Sequence, residues 1–257
     1  MLTKNYFKYF LFAVLIYFTV GCSQDTVTTK ELIDISGITC TLQDSMPFTG
    51  VCKDYYENGQ IQLEKNFLQG LPDGCFLRYY KNGQKSVEVN YAKGKPIGGY
   101  KQFYENGKLK AEKTDDGKNQ IVTRWFEDGA KSAEQHLENN ILTGKSDQWY
   151  PNGKLELTST YKNDKRIGLF QVFFKNGKIK IEGNYIDGQL NGNWRVWNEN
   201  EIVTSDETYE LGKKVGDWKY YYDNGNKKSE VVFKDGLVKQ TKEWDENGKL
   251  INSFSAD

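Results

Sequence analysis

Seven acidic side chains recur at nearly equal intervals along this chain: Glu64, Glu88, Glu112, Glu134, Glu182, Asp206 and Glu230. Paired carboxylates can act as general acid and general base when both reach one reacting bond. The spacing points away from that chemistry. Acids on equivalent strands of successive hairpins lie about 9–10 Å apart, twice the strand separation, and lysines stand between them. The pattern reads as a solvated charge stripe. The chain has a single histidine, His136 beside Leu137, and four cysteines, Cys22, Cys40, Cys52 and Cys75, without metal-ligand spacing. The glycine-rich GKPIGG at 94–99 is followed by no helical pattern, so it reads as a turn and not as a dinucleotide loop. The expectation is a non-enzyme with no catalytic residue, no cofactor and no metal.

A second periodic set is aromatic: Tyr55, Tyr79, Phe103, Trp125, Trp149, Phe173, Trp197, Tyr221 and Trp244. Evenly spaced rings on an open face could bind a partner strand or sugar rings. They could equally hold a single-layer sheet together.

The element that positions both sets is a repeat. Glycines close one turn after another at Gly59, Gly83, Gly107, Gly129, Gly153, Gly177, Gly225 and Gly248, and most steps are 24 residues. The one gap, at Glu201, falls on the same grid. A period in this range means an array of supersecondary units. Seven units open with a glycine (Gly50, Gly74, Gly98, Gly144, Gly168, Gly192, Gly216), taken here as position zero. Position five is then aromatic in all nine units, and position six usually is. Positions eight and nine are Asn-Gly or Asp-Gly in eight of nine. That dipeptide suits a type I′ turn closing a two-residue hairpin. A second strand follows and ends on an aromatic at position seventeen.

Each unit is therefore expected to be one hairpin. The fold class is all-β: an elongated antiparallel meander of about nine 24-residue hairpin repeats in one twisted sheet, with about seventeen or eighteen strands. Strands about 4.8 Å apart would make the array about 80 Å long before twisting. Two-residue hairpin register places positions two, four, six, eleven, thirteen and fifteen on one face. In the sixth unit these include Phe170, Val172, Phe174, Ile179 and Ile181, an apolar face expected to be covered by the sheet curling over itself. Position five falls on the other face among three, twelve and fourteen, with its rings packing on the stems of the Lys and Glu between them. Two irregularities stand out. Asp115 to Gln120 shortens the third unit and could kink the array. Asn200-Glu201 replaces the turn dipeptide of the seventh, where an altered turn is expected.

Acidic and basic side chains number 35 each, so no basic excess suggests a nucleic-acid partner. Lys4 and Lys8 precede an apolar run, Tyr9 to Val20, too short for a comfortable membrane span. The run suits a secretory signal. It ends in TVGC, and Gly21-Cys22 resembles a bacterial lipobox, which implies lipidation of Cys22 and membrane attachment through it. Removing the first 21 residues removes two lysines and no acid, taking the net charge from zero to −2. The chain then divides into a signal at 1–21, a tether and lead-in strand at 22–47, and a repeat array at 48–254. Export permits oxidation of Cys40, Cys52 and Cys75. A Cys52–Cys75 bridge is too long across an intervening strand, while Cys40–Cys52 stays open.

The pattern W-x-x-Y-Y-x-N-G-K…E…Y…G-K…G resembles the MORN (membrane occupation and recognition nexus) repeat variant of many bacterial proteins. GDWKYYYDNGNKKSE from Gly216 and GCFLRYYKNGQKSVEVNYAKGK from Gly74 carry it most clearly. The resemblance spans about 48–254. It implies an elongated scaffold, sometimes at membranes, and proteins bearing it are often labelled antitoxin-like. It brings no catalytic residues. The functional expectation is a lipid-anchored protein of the bacterial cell envelope, at the outer membrane given Ser23, presenting its sheet to a protein partner. An antitoxin or immunity-type inhibitor of a toxin or effector, and a glycan-binding surface protein, are the alternatives.

Overall fold

The computed structural model describes residues 25–256. The signal segment and Cys22 lie outside the described residues. From Gly50 onward the strands pair antiparallel in succession, with the short Lys213–Lys214 and Gly216–Tyr221 both pairing with Val203–Glu210. The succession runs from Gly50–Tyr55, Ile61–Leu68 and Leu71–Tyr79 through to Leu237–Trp244 and Leu250–Ser255. These strands belong to a single 20-stranded sheet. Among the described residues no registered pairing returns the last strand to the first repeat, so the ribbon is open. There is no α-helix among these residues, only a 3₁₀ turn at Thr29–Glu31. The expected all-β meander is the observed fold.

The register expected between the two strands of a unit holds through most of its length. In the first unit Cys52 faces Lys65, Lys53 faces Glu64 and Asp54 faces Leu63. At the tip it changes. Tyr55 pairs with Ile61, and one residue of the second strand is extruded as a bulge. The same shift recurs at Tyr79/Lys85, Phe173/Ile179 and Trp244/Leu250. A second irregularity lies between units, at the leading glycine: Lys65 faces Phe76, yet Phe67 faces Pro72.

The tip bulge corrects the expected turn. The Gly59 N–H donates to the Tyr56 carbonyl, and the Tyr56 N–H to the Gln60 carbonyl. The loop is therefore three residues, a type I turn followed by Gly59 in the left-handed region at φ +82°. Asn58 is not among the residues of positive φ. The type I′ turns occupy the opposite edge: at Gln69-Gly70, Lys93-Gly94 and Asp187-Gly188 both central residues have positive φ. Asn139-Asn140 and Asn163-Asp164 manage the same turn without glycine, a conformation Asn and Asp tolerate.

Neither irregularity of the sequence breaks the sheet. Asp115 to Gln120 forms a tight hairpin in which Asp115 faces Gln120 and the buried Gln120 side chain donates to the Asp115 carboxylate at 3.1 Å. The seventh tip keeps the standard turn bonds, with Glu201 adopting φ +65° in the glycine's place.

Residues 26–47, expected as tether and lead-in, carry secondary structure. Thr26–Val27 runs parallel to Gly50–Tyr55 along its outer side. The hairpin Leu32–Ile35 with Ile38–Thr41 makes a separate two-stranded sheet. Its Thr39 N–H donates to the Gly70 carbonyl, tying it to the first repeat. Phe48, Cys52 and Phe67 form a buried cluster with Val27 and Leu32 against it. This cluster lies at the N-terminal end of the array.

Candidate functional site

The tip edge shows what the repeated Tyr, Asn and Lys do. Position six supplies Tyr56, Tyr80, Tyr104, Tyr150 and Tyr222. Each hydroxyl donates to the backbone carbonyl of the position-five residue of the next unit: Tyr79, Phe103, Trp125, Phe173 and Trp244, at 2.7–2.9 Å. Position eight supplies Asn58, Asn82, Asn106, Asn152 and Asn224. Their side-chain amides donate to the position-seven carbonyl of the next unit, while their side-chain oxygens accept the position-ten N–H of their own turn. Lys108 and Lys154 add an ammonium-to-carbonyl bond to the following tip. The Y-x-N-G-K signature is thus a stitch from one hairpin tip to the next.

The stretches 48–69, 72–93, 98–114, 142–163, 166–187 and 214–235 each match the MORN repeat variant; five of them carry this stitch, and 166–187 has Phe174 in the tyrosine's place. The chain belongs to the MORN repeat variant family. The structure extends the same hairpin to three stretches the match leaves out, Asn119–Trp125 with Lys131–Glu138, Gln189–Trp197 with Val203–Glu210, and Leu237–Trp244 with Leu250–Ser255. No curated protein matches the chain. Among solved structures, the chain is similar to a chain of the "TcdB2-TccC3-Cdc42" crystal structure, with 11% identity over 87% of this chain and 16% of that one, at a TM-score of 0.21. It is also similar to a chain of a Photorhabdus luminescens Tc holotoxin pore structure, with 13% identity over 79% of this chain and 14% of that one, at a TM-score of 0.20. The MORN-variant chain therefore spans about one sixth of the length of those chains.

On the MORN-variant sheet all nine position-five residues take the same place. Tyr55, Tyr79, Phe103, Trp125, Trp149, Phe173, Trp197, Tyr221 and Trp244 pair at the tip bulge with position eleven: Ile61, Lys85, Leu109, Lys131, Leu155, Ile179, Val203, Lys227 and Leu250. The bulge moves position eleven away from the apolar face expected for it. The residues alternating with the rings are thus these, not the position-twelve and position-fourteen stems. Lys131 sits over the Trp149 ring at 5.4 Å and Lys227 over Trp244 at 5.0 Å. Eight of the rings are half-buried, and Tyr55, at the end of the row, is exposed. Because the tip tyrosines hold the carbonyls of five of them, those five ride on a fixed backbone.

The acidic stripe flanks this row and is paired as expected of a surface. Glu64 meets Lys53 and Glu112 meets Lys101, each at 3.3 Å; Glu88, Glu134 and Glu230 meet the position-eleven lysines Lys85, Lys131 and Lys227 at 2.7–3.2 Å. The Lys131 ammonium, donating to Glu134, holds that carboxyl below its ordinary range, with His136 adding to the effect. His136 lies half-exposed, 3.5 Å from the same carboxylate. Exposed pairs of this kind contribute little each. No group of three or more potential metal ligands occurs among the described residues.

The opposite face is covered by its own rings, not by the sheet folding over. Positions two and seventeen meet there. Phe170 stacks on Trp194 with centroids 5.6 Å apart, and Tyr185 stands edge-on to both. Trp218, 3% exposed, is held between Tyr209 and Phe233. Arg166 lies over Phe170 and Tyr185, and Lys214 over Trp218 and Phe233, as cationic lids. Gly183 is required in this row: a Cβ there would stand 2.2 Å from Trp194 Cε3.

Cys40, Cys52 and Cys75 are free thiols. Burial, with Asp54 adding, pushes the Cys52 thiol up to about 11, whereas Cys75 is exposed.

Proposed function

We propose that this MORN-variant protein is a non-enzymatic docking scaffold of the bacterial envelope, lipid-anchored through Cys22. Its outer-membrane placement rests on Ser23 following that cysteine. It binds a protein partner along the position-five row. The observation that carries this reading is the row itself: nine half-buried to exposed rings alternating with Ile, Leu, Val and Lys, at one register, five of them on backbone pinned by the preceding tip. Aromatic anchors presented rigidly lose little entropy on binding and dominate interface energetics. The charges beside the row are already paired, so the rings are what the surface offers a partner.

The test is capture from membranes with the lipidated protein as bait. The triple variant Trp149→Ala, Trp197→Ala, Tyr221→Ala should lose the captured partner while keeping its β-sheet circular dichroism. Unchanged capture by a folded triple variant would sink the reading. If cell-wall fragments instead shift the Trp fluorescence and no protein is captured, the row binds glycan. Incorporation of labelled fatty acid, lost in Cys22→Ala, checks the anchor separately.

A further inference from the structure

The two ends of the ribbon are finished differently. At the N-terminal end the first repeat strand is covered. Thr26–Val27 pairs with it, the Val51 N–H donates to the Asp25 carbonyl at 2.8 Å, and Thr29 binds the Asp54 carboxylate through its N–H at 2.9 Å and its hydroxyl at 2.7 Å. At the other end Leu250–Ser255 pairs on one side only, with Leu237–Trp244. All six residues are exposed, Ile251 at 61% and Phe254 at 53%. The strand contains no charge and no proline, and its only register shift is at the Leu250 end. Those are the devices that ordinarily keep an edge from pairing. The Ala256 N–H donates inward to the Lys239 carbonyl at 2.8 Å. By the alternation of an antiparallel ladder, the N–H and C=O groups of Ser253 and Ser255 therefore point away from the sheet, while Ile251 is the residue extruded at the bulge between Leu250 and Asn252.

We propose that Leu250–Ser255 pairs antiparallel with the same strand of a second copy, about a two-fold axis through Ser253. Three observations select a second copy. The strand is uncharged, so its own image meets no like charge; Ile251 falls opposite Ser255, Asn252 opposite Phe254, and Ser253 opposite itself. The covered first repeat gives no acceptor edge for head-to-tail growth, and a two-fold contact closes on itself. Finally, the tip stitch stops here. Tyr222 and Asn224 reach Trp244 and Glu246, but the last unit has Asp245 in the tyrosine's place. Asp245 turns inward, accepting from the N–H groups of Asn247 at 3.0 Å and Lys249 at 2.8 Å. An axis normal to the sheet keeps both position-five rows on one face, so the dimer is a doubled, bivalent ribbon.

Light scattering of the full chain in detergent, corrected for bound detergent, should give twice the chain mass. Ser253→Lys sets two lysines directly opposite each other and should halve that mass with unchanged circular dichroism. In a Cys75→Ser background, Ser253→Cys should give a reductant-sensitive band at twice the mass, since facing residues in a hydrogen-bonded pair have Cα atoms about 5.5 Å apart, within disulfide reach. A monomeric wild-type mass overturns the proposal. So does a Ser253→Lys variant that remains dimeric, or a dimer in which Ser253→Cys never cross-links.

Discussion

The Tyr104 hydroxyl donates a 2.7 Å hydrogen bond to the main-chain carbonyl of Trp125, one repeat further on. The bond joins the last aromatic of one tip to the first aromatic of the next, across a sequence separation of 21 residues. It accounts for the tyrosine at position six of five units, each of whose hydroxyls holds the next tip, while Phe126, Phe174 and Asn198 stand there in three others. It also links the structural signature of the repeat to the ring row proposed as its working surface.

Tyr104→Phe removes this bond and leaves the ring. The carbonyl loses one partner at a half-buried site, so the expected cost is about 1 kcal/mol. Chemical denaturation should show a lower midpoint with an unchanged slope. Phe126 and Phe174 occupy the same position naturally, so the fold should survive, and a loss of several kcal/mol would mean the hydroxyl does more than stitch.

The two tryptophan rows should separate by phenotype. Trp218 is 3% exposed between Tyr209 and Phe233, and Trp218→Ala should cost about 3–5 kcal/mol, as large aromatic truncations do. Trp149 is half-buried on the open face, so Trp149→Ala should cost markedly less stability and should weaken partner capture. Paired thermal melts and capture assays read both. Equal destabilisation by the two variants would assign the position-five row to the sheet alone.

How much of this could be read beforehand depended on which contacts repeat with the chain and which cross between repeats. Hairpins, the pairing of position two with fifteen and four with thirteen, and the all-β meander follow from period two inside period 24, and the structure has them. The tip turn did not follow, because Asn-Gly suits both a type I′ turn and the type I turn with a left-handed glycine. What decides is the bond from the Tyr56 N–H to the Gln60 carbonyl next to the Tyr55–Ile61 pair, which leaves three residues in the loop. That bulge also places position eleven beside the rings. The stitch of Tyr, Asn and Lys had a sequence signal, since Asp245 replaces tyrosine in the last unit. The lids Arg166 and Lys214 had none, because they occur in single repeats.

Gly183→Ala tests the close packing of the ring-lined face. Its Cβ would meet Trp194 Cε3 at 2.2 Å, so the indole must leave its stack on Phe170. Overpacking of this kind costs about 1–3 kcal/mol. Denaturation should show that loss together with a changed Trp emission maximum. Neither change occurring would mean the indole has room to tilt.

Alkaline stability follows from two tyrosines. Tyr209 and Tyr220 are half-buried near the Glu207 carboxylate, and Tyr209 donates to it at 2.7 Å. Desolvation first, then that hydrogen bond and charge, raise Tyr209 beyond the ordinary range; desolvation, then the Glu207 charge, push Tyr220 up to about 12. The unfolded chain releases these protons near pH 10, the folded one later. Their contribution is therefore complete below about pH 10 and is lost as pH rises toward the folded values. Denaturation midpoints should fall over that window, less steeply in Tyr209→Phe and Tyr220→Phe. An identical pH slope in both variants would remove the assignment.

The thiols offer the most direct check on the N-terminal cap. Cys75 is exposed, while Cys52 is 1% exposed within the Phe48–Phe67 cluster and its thiol is held neutral well above ordinary pH. Only thiolate reacts with alkylating reagents, so burial and the raised thiol both protect Cys52, while Cys75 is accessible. Brief alkylation of the native protein at pH 8, followed by peptide mapping, should label Cys75 first and leave Cys40 and Cys52 protected until denaturant is added. Because Cys52 is covered by Val27 and Leu32 from the residues before the repeats, Leu32→Ala should speed its labelling without touching that of Cys75. If labelling of Cys52 were fast in the intact protein, the leading segment would not be folded over the first repeat, and the asymmetry between the two ends of the ribbon would disappear with it.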